Sequence, residues 1–132
     1  MTTWTPAQLD AFDDVAEIDV VTTRADGTTR PPVPIWVVRV GDDVYVRSWR
    51  GGAGTWYRHA ARGGQLQVRL CGQQLDVAVE LVPTAAAAHG HIDRAYRTKY
   101  GQYGSRYVDP MVAPDAQAVT LRLLPNDHTT NQ

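Results

Sequence analysis

From Ala16 onward the chain alternates apolar and polar positions in short runs, the period of half-buried β-strands. Ile18, Val20 and Thr22 share one side of a strand predicted over 16–23. Val33, Ile35 and Val37 alternate with Pro34, Trp36 and Val38 over 32–40, and Val44, Val46 and Ser48 alternate with Tyr45, Arg47 and Trp49. Leu66, Val68 and Leu70 form one arm of a later hairpin and Leu75, Val77, Val79 and Leu81 the other, across a turn at Cys71-Gly72-Gln73. Val119, Leu121 and Leu123 mark a closing strand. Asp26-Gly27 and Gly41-Asp42 supply turns, because these residues tolerate the backbone conformations a tight reversal needs.

Helical spacing is rarer. Thr5-Pro6-Ala7-Gln8 has the order of a capping box with Pro at the first helical position, which predicts a short helix ending by Asp14. Trp4 and Leu9 stand at hydrophobic-staple spacing around it. A second short helix is expected from Trp56 to about Arg62, after the glycine-rich crossing 50–54 and before Gly63-Gly64. Ile92, Ala95, Tyr96 and Lys99 recur at helical spacing ahead of Gly101. The stretch 102–116, with its two prolines, reads as an irregular segment of the kind that serves as a lid or a binding loop.

Six strands joined by short turns, with helices only at the crossings, predict a mainly β (α+β) fold. The architecture expected is a six-stranded antiparallel split β-barrel with short peripheral helices, since closure removes exposed sheet edges. The 132 residues suit one domain over 1–132, with 125–132 a polar tail.

Charge narrows the function. Thirteen Lys+Arg stand against fourteen Asp+Glu, so no basic footprint favours nucleic acid or anionic lipid. No run approaches the roughly 20 apolar residues of a membrane helix. The lone Cys71 and the absence of a signal-like N-terminus lead us to expect a reduced, cytoplasmic location. A small-molecule ligand is the expected partner, without nucleic acid or membrane.

Candidate chemistry clusters in two places. Arg24, Arg30 and Arg50 could rim an anionic ligand through guanidinium forks, or be solvated turn residues. Trp36, Trp49, Trp56 and Tyr57 could wall a flat ligand, or fill the core and a dimer interface. His59, on the second helix, is a candidate acid or base. Tyr100, Tyr103, Tyr107 and Asp109 form a polar-aromatic cluster in which a tyrosine could donate to a carbonyl and Asp109 act as base or arginine partner. His89 and His91 lack further ligands at metal spacing, so no metal site is expected.

The run TTRADGTTRPPVPIWVVRVGDDVYVRSWRGGAGTWYRHA resembles the nitroreductase-like branch of the FMN-binding split-barrel families, which includes the deazaflavin-dependent reductases. Arg24, Gly27 and Arg30 match their loop, Pro34-Ile35-Trp36 their proline-aromatic strand, Gly41-Asp42 their turn, and Trp56-Tyr57 their helix start. An uncharacterised bacterial family of that superfamily is similar over nearly the whole chain, including Ile92-Asp93-x-Ala95-Tyr96-Arg97-x-Lys99-Tyr100-Gly101 and Thr120-Leu121-Arg122-Leu123-x-Pro125. The resemblance implies a homodimer that binds FMN or a deazaflavin. Arg24 and Arg30 would lie at the anionic end, Pro34, Trp36, Trp49 and Trp56 along the ring, and Tyr100 or Tyr103 toward a small organic substrate. Ala25 and Asp26 depart from the family's basic and hydroxyl loop positions. That favours a second expectation, a cofactor-independent protein that uses the same cleft for a small molecule. A third is a non-catalytic dimeric interaction module.

Overall fold

A computed structural model describes residues 3–49, 54–63 and 66–125. The glycine-rich crossing with Arg50, the Gly64 end of the second helix and the 126–132 tail lie outside the described residues.

The expected capping box is present at the start of α1 (Pro6–Asp14): the Thr5 hydroxyl accepts from the Gln8 N–H, and the Gln8 side chain from the Thr5 N–H. Trp4 is buried edge-on against Phe12 and donates its indole N–H to the Leu123 carbonyl at 3.0 Å. β1 (Ile18–Thr22), β2 (Val33–Ile35), β3 (Val38–Val40), β4 (Asp43–Arg47), β5 (Leu66–Leu70), β6 (Gln73–Leu81) and β7 (Thr120–Pro125) form one antiparallel sheet, in the order β2-β1-β5-β6-β7-β4-β3.

The two ends of that sheet are β2 and β3, separated in the chain by Trp36 and Val37 alone. One extended run therefore pairs with β1 through its first half and with β4 through its second, which curls the sheet round into a split barrel. The sequence pattern predicts six strands and the structure has seven, because the strand expected over 32–40 is divided at this point. Pro31, Pro32 and Pro34 have no N–H to give a ladder, so this run enters the sheet late and cannot pair on both sides throughout.

Alternation then sorts the side chains. Val37, Val44, Val46, Ile18, Leu66 and Leu121 fill the barrel, where α1 and α2 (Thr55–Ala61) add Phe12, Trp56 and Tyr57. Val38 and Tyr45 point outward beneath α3 (Ala88–Tyr100) and α4 (Ser105–Val112), against Ile92, Tyr96, Tyr100 and Met111. The stretch expected to be irregular over 102–116 is mostly helical, with a 3-10 turn at Gly101–Tyr103, then α4, then α5 (Pro114–Gln117). Pro114 sits in the first turn of α5, where its missing N–H costs nothing, and Pro110 lies inside α4 without ending it. No helix among the described residues is long and apolar enough to cross a membrane.

Candidate functional site

The site follows from where the ladder opens. Val38 faces Tyr45 across β3 and β4, so continuing that register backward would set Trp36 opposite Arg47 and Pro34 opposite Trp49. The two-residue turn at Gly41-Asp42 makes Val40 and Asp43 a hydrogen-bonded pair, and alternation aims the backbone groups of Trp36 and Arg47 at each other. They do not pair. The edges diverge instead, and a cavity of about 560 Å³ fills the gap, with Pro34, Trp36, Arg47, Trp49, Trp56 and Tyr107 among its walls. That volume lies within the roughly 300–1,000 Å³ typical of small-molecule sites.

On the other side of the same run, helix α3 occupies the gap. Ile18 faces Ile35, so Val37 would next face Ala16. The Tyr100 hydroxyl stands there instead, accepting from the Val37 N–H at 3.0 Å and donating to the Ala16 carbonyl at 2.8 Å. The Lys99 amine donates to the Val37 carbonyl at 2.8 Å and to the Phe12 carbonyl at 2.7 Å. Burial pushes the Tyr100 phenol well above the ordinary tyrosine range, and desolvation pulls the Lys99 ammonium down to about 8 against the attraction of Asp13 and Asp14. Trp36 lies flat on Tyr100, centroids 4.0 Å apart and planes 1° from parallel, so its opposite face is the one left for the slot.

The expected ring-binding residues Pro34, Trp36, Trp49 and Trp56 all line this slot. Arg24 and Arg30 do not. Arg24 is turned into its own loop, donating to the Thr29 carbonyl at 3.0 Å and the Thr28 hydroxyl at 3.3 Å, and Arg30 donates to the Thr22 hydroxyl at 3.1 Å. Asp26 caps the same loop by accepting from the Thr28 N–H and hydroxyl, which hold its carboxyl below the usual range. Tyr100, expected to face substrate, is 1% exposed and its hydroxyl is committed to the backbone. Tyr103 is exposed, its ring 5.8 Å from Trp36. His59 sits half-buried on α2 and Asp109 exposed on α4, and neither lines the slot.

Sequence reasoning missed Arg47 and Glu17, because charged residues alternating along a strand look like a solvent face. Arg47 is buried at the slot wall, ion-paired to Asp93, with Nε donating to the Thr120 hydroxyl at 2.9 Å and Nη1 to the Met111 carbonyl at 2.7 Å. Its Nη2 lies 3.1 Å from His89 Nδ1, and His89 Nε2 lies 2.8 Å from the Pro83 carbonyl. A carbonyl can only accept, so Nε2 carries the proton and Nδ1 accepts from the guanidinium. No group of three or more His, Cys, Asp or Glu residues among those described could hold a metal ion.

A family model described as "Uncharacterized protein conserved in bacteria (DUF2255)" matches residues 8–123. The chain belongs to that family. Among curated proteins, none matches the sequence of this DUF2255 member. Its fold is similar to that of HutZ, the heme storage protein from Vibrio cholerae, at 12% identity and TM-score 0.66, covering 92% of this chain and 89% of that one. It is also similar to an FAD-binding protein from Mesorhizobium loti, at 16% identity and TM-score 0.59, covering 96% and 92%. An F420-H2 dependent reductase is similar at 17% identity and TM-score 0.56, covering 83% and 93%. At these identities the likeness establishes that this DUF2255 chain has the split-barrel fold.

Proposed function

We propose that this protein binds a flavin-type ring, FMN or a deazaflavin, in the slot between Trp36 and Trp49, and serves in reducing or oxidising a small organic molecule. The observation that carries the reading is the slot itself. It opens where the β2–β3 run leaves the β4 ladder, and it is walled by three indoles and by the parted edges at Trp36 and Arg47. Proteins of the same fold described as FAD-binding and as an F420-H2 dependent reductase support it.

The residues fit the ring. Trp36 is braced from behind by Tyr100 and offers a rigid stacking face, and Trp56 holds its place within the core cluster. When bound, such a ring supplies the hydride chemistry, and the protein's part is orientation and exclusion of water. Tyr103 and Tyr107, both 47% exposed, are the tyrosines we place toward substrate, Tyr107 on the slot wall and Tyr103 against Trp36. Exposed Val33, Trp49 and Tyr107 at the slot's mouth form an apolar rim suited to a homodimer.

A second reading is favoured by the loop. Arg24 and Arg30 are spent on hairpin contacts and lie away from the slot lining, and Asp26 adds a negative charge beside them. A phosphate therefore finds no ready anchor among the described lining residues, which suits a cofactor-independent protein for a small apolar molecule. One experiment separates the two. Absorbance and fluorescence titration of purified protein with FMN, riboflavin and a deazaflavin should show binding that Trp36→Ala weakens by about tenfold or more. Absence of binding by all three would sink the cofactor reading.

A further inference from the structure

The charge inside the slot is unusual for a site that would hold an anionic cofactor. Among the described residues lining it, Glu17 and Arg47 alone carry formal charge. The Arg47 side chain is fully buried, its charge answered by Asp93 and its donors taken up by Thr120, Met111 and His89. Glu17 is exposed and makes no salt bridge to a described residue. Among the described residues, a ligand in the slot therefore meets one carboxylate without an ion-pair partner. Around it stand the indoles of Trp36, Trp49 and Trp56 and the phenol ring of Tyr107. An aromatic face carries a negative quadrupole that attracts cations, most strongly for Trp, and the attraction grows where water is excluded. Trp36 has one face against Tyr100 and Trp56 is buried, so these rings cannot turn away from what enters.

We propose that the slot selects an organic cation of planar, N-alkylpyridinium type, stacked on Trp36 and Trp49 with Glu17 as its counter-charge. The inference rests on the slot being the ligand site, as in the reading above, and holds whether or not a flavin ring also uses it. Both the rings and the carboxylate are needed: indoles alone would favour a cationic over a neutral ring only modestly, and Glu17 alone would take any cation weakly.

The test uses three probes with the same ring and different charge: 1-methylnicotinamide, methylated on the ring nitrogen (cation), nicotinamide (neutral) and nicotinate (anion), titrated calorimetrically into the intact protein at low salt. We expect the cation to bind about tenfold more tightly than the neutral ring, with nicotinate weakest. The preference should shrink when salt is raised to about 0.5 M, because the Glu17 side of the slot is open to screening. Glu17→Gln, at an exposed position, should cut the preference for the cation by about threefold or more and leave the smaller part that the indoles supply, now insensitive to salt. Trp49→Ala should weaken both. Equal binding of the three, a preference for nicotinate, or a cation preference undiminished in Glu17→Gln overturns the proposal. Riboflavin and a deazaflavin are titrated alongside. Their failure to bind, with the charge order intact, removes the cofactor reading alone, whereas their binding with no charge order removes this inference alone.

Discussion

Tyr100 shows how one hydroxyl can stand in for a stretch of ladder. It takes the Val37 N–H and gives its proton to Ala16, closing two backbone groups that the barrel leaves open at its split. Tyr100→Phe keeps the ring under Trp36 and removes only this bridge. An unsatisfied buried amide or carbonyl costs about 1–3 kcal/mol, so the variant should lose about that much by urea denaturation, whereas exposed Tyr103→Phe should lose almost nothing. Equal stability of the two variants would show that the hydroxyl is free for chemistry after all. Lys99 offers a direct reading of the same region, because it is the only lysine in the chain. Its ammonium is pulled from 10.5 to about 8 by desolvation. The unfolded chain therefore binds more protons than the folded one between about pH 8 and 10.5, and stability should rise with pH across that window. NMR titration of the dimethylated amine should give a midpoint near 8, and Lys99→Met should abolish the rise. A midpoint above 10 would mean that the two carbonyl contacts outweigh the loss of water.

At the scale of elements, Arg47 ties four segments together: β4 carries it, β7 accepts through Thr120, α3 through Asp93 and His89, and α4 through the Met111 carbonyl. Removing the guanidinium strands Asp93 in a half-dry setting, and breaking a buried pair costs about 3–5 kcal/mol. Arg47→Met should destabilise by that order and loosen α4, whereas Arg47→Met combined with Asp93→Leu should recover a large part of the loss. A double variant no more stable than the single one would mean that the contacts to Thr120 and Met111 matter more than the charge.

The α4 region also shows where sequence reasoning stops. Its two prolines suggest an irregular segment, yet the chain keeps turning helically because Gly104, at φ +96°, resets the backbone before Ser105 and Pro114 begins a new helix. The strands were legible because their alternation is local, and Trp36, Trp49 and Trp56 stood out as large aromatics able to wall a flat ligand or fill the core. The break at Trp36 and Val37 was not legible. The alternation of Val33, Ile35 and Val37 runs through it unchanged, and the group that opens the ladder, Tyr100, lies 63 residues away. Glu17 escaped notice for a similar reason: it stands just before β1, and nothing in its neighbours shows that the facing run has moved off.

For the molecule as a whole, the barrel is closed by a run that belongs to two neighbours in turn, and this sets up an exchange pattern no single ladder would give. Amides of β5, β6 and β7 sit in the middle of the sheet, paired on both sides, and should open only with global unfolding. The Val37 N–H is held by Tyr100 beneath the Trp36 ring and should be protected well beyond its neighbours in the break. The Trp36 N–H, one residue away, faces the slot where the β4 ladder has parted, and should exchange within the time of local fluctuation. Hydrogen exchange followed by NMR on the free protein should therefore show adjacent amides at 36 and 37 differing by about a hundredfold or more, corresponding to roughly 3 kcal/mol of extra opening cost. Addition of a ligand that fills the slot should slow the amides at Trp36 and Arg47 together and leave Val37 unchanged, because a flat molecule bridging the parted edges takes the place of the missing strand pair. Equal protection at 36 and 37 in the free protein would mean that the ladder closes in solution and that no slot persists for a ligand to enter.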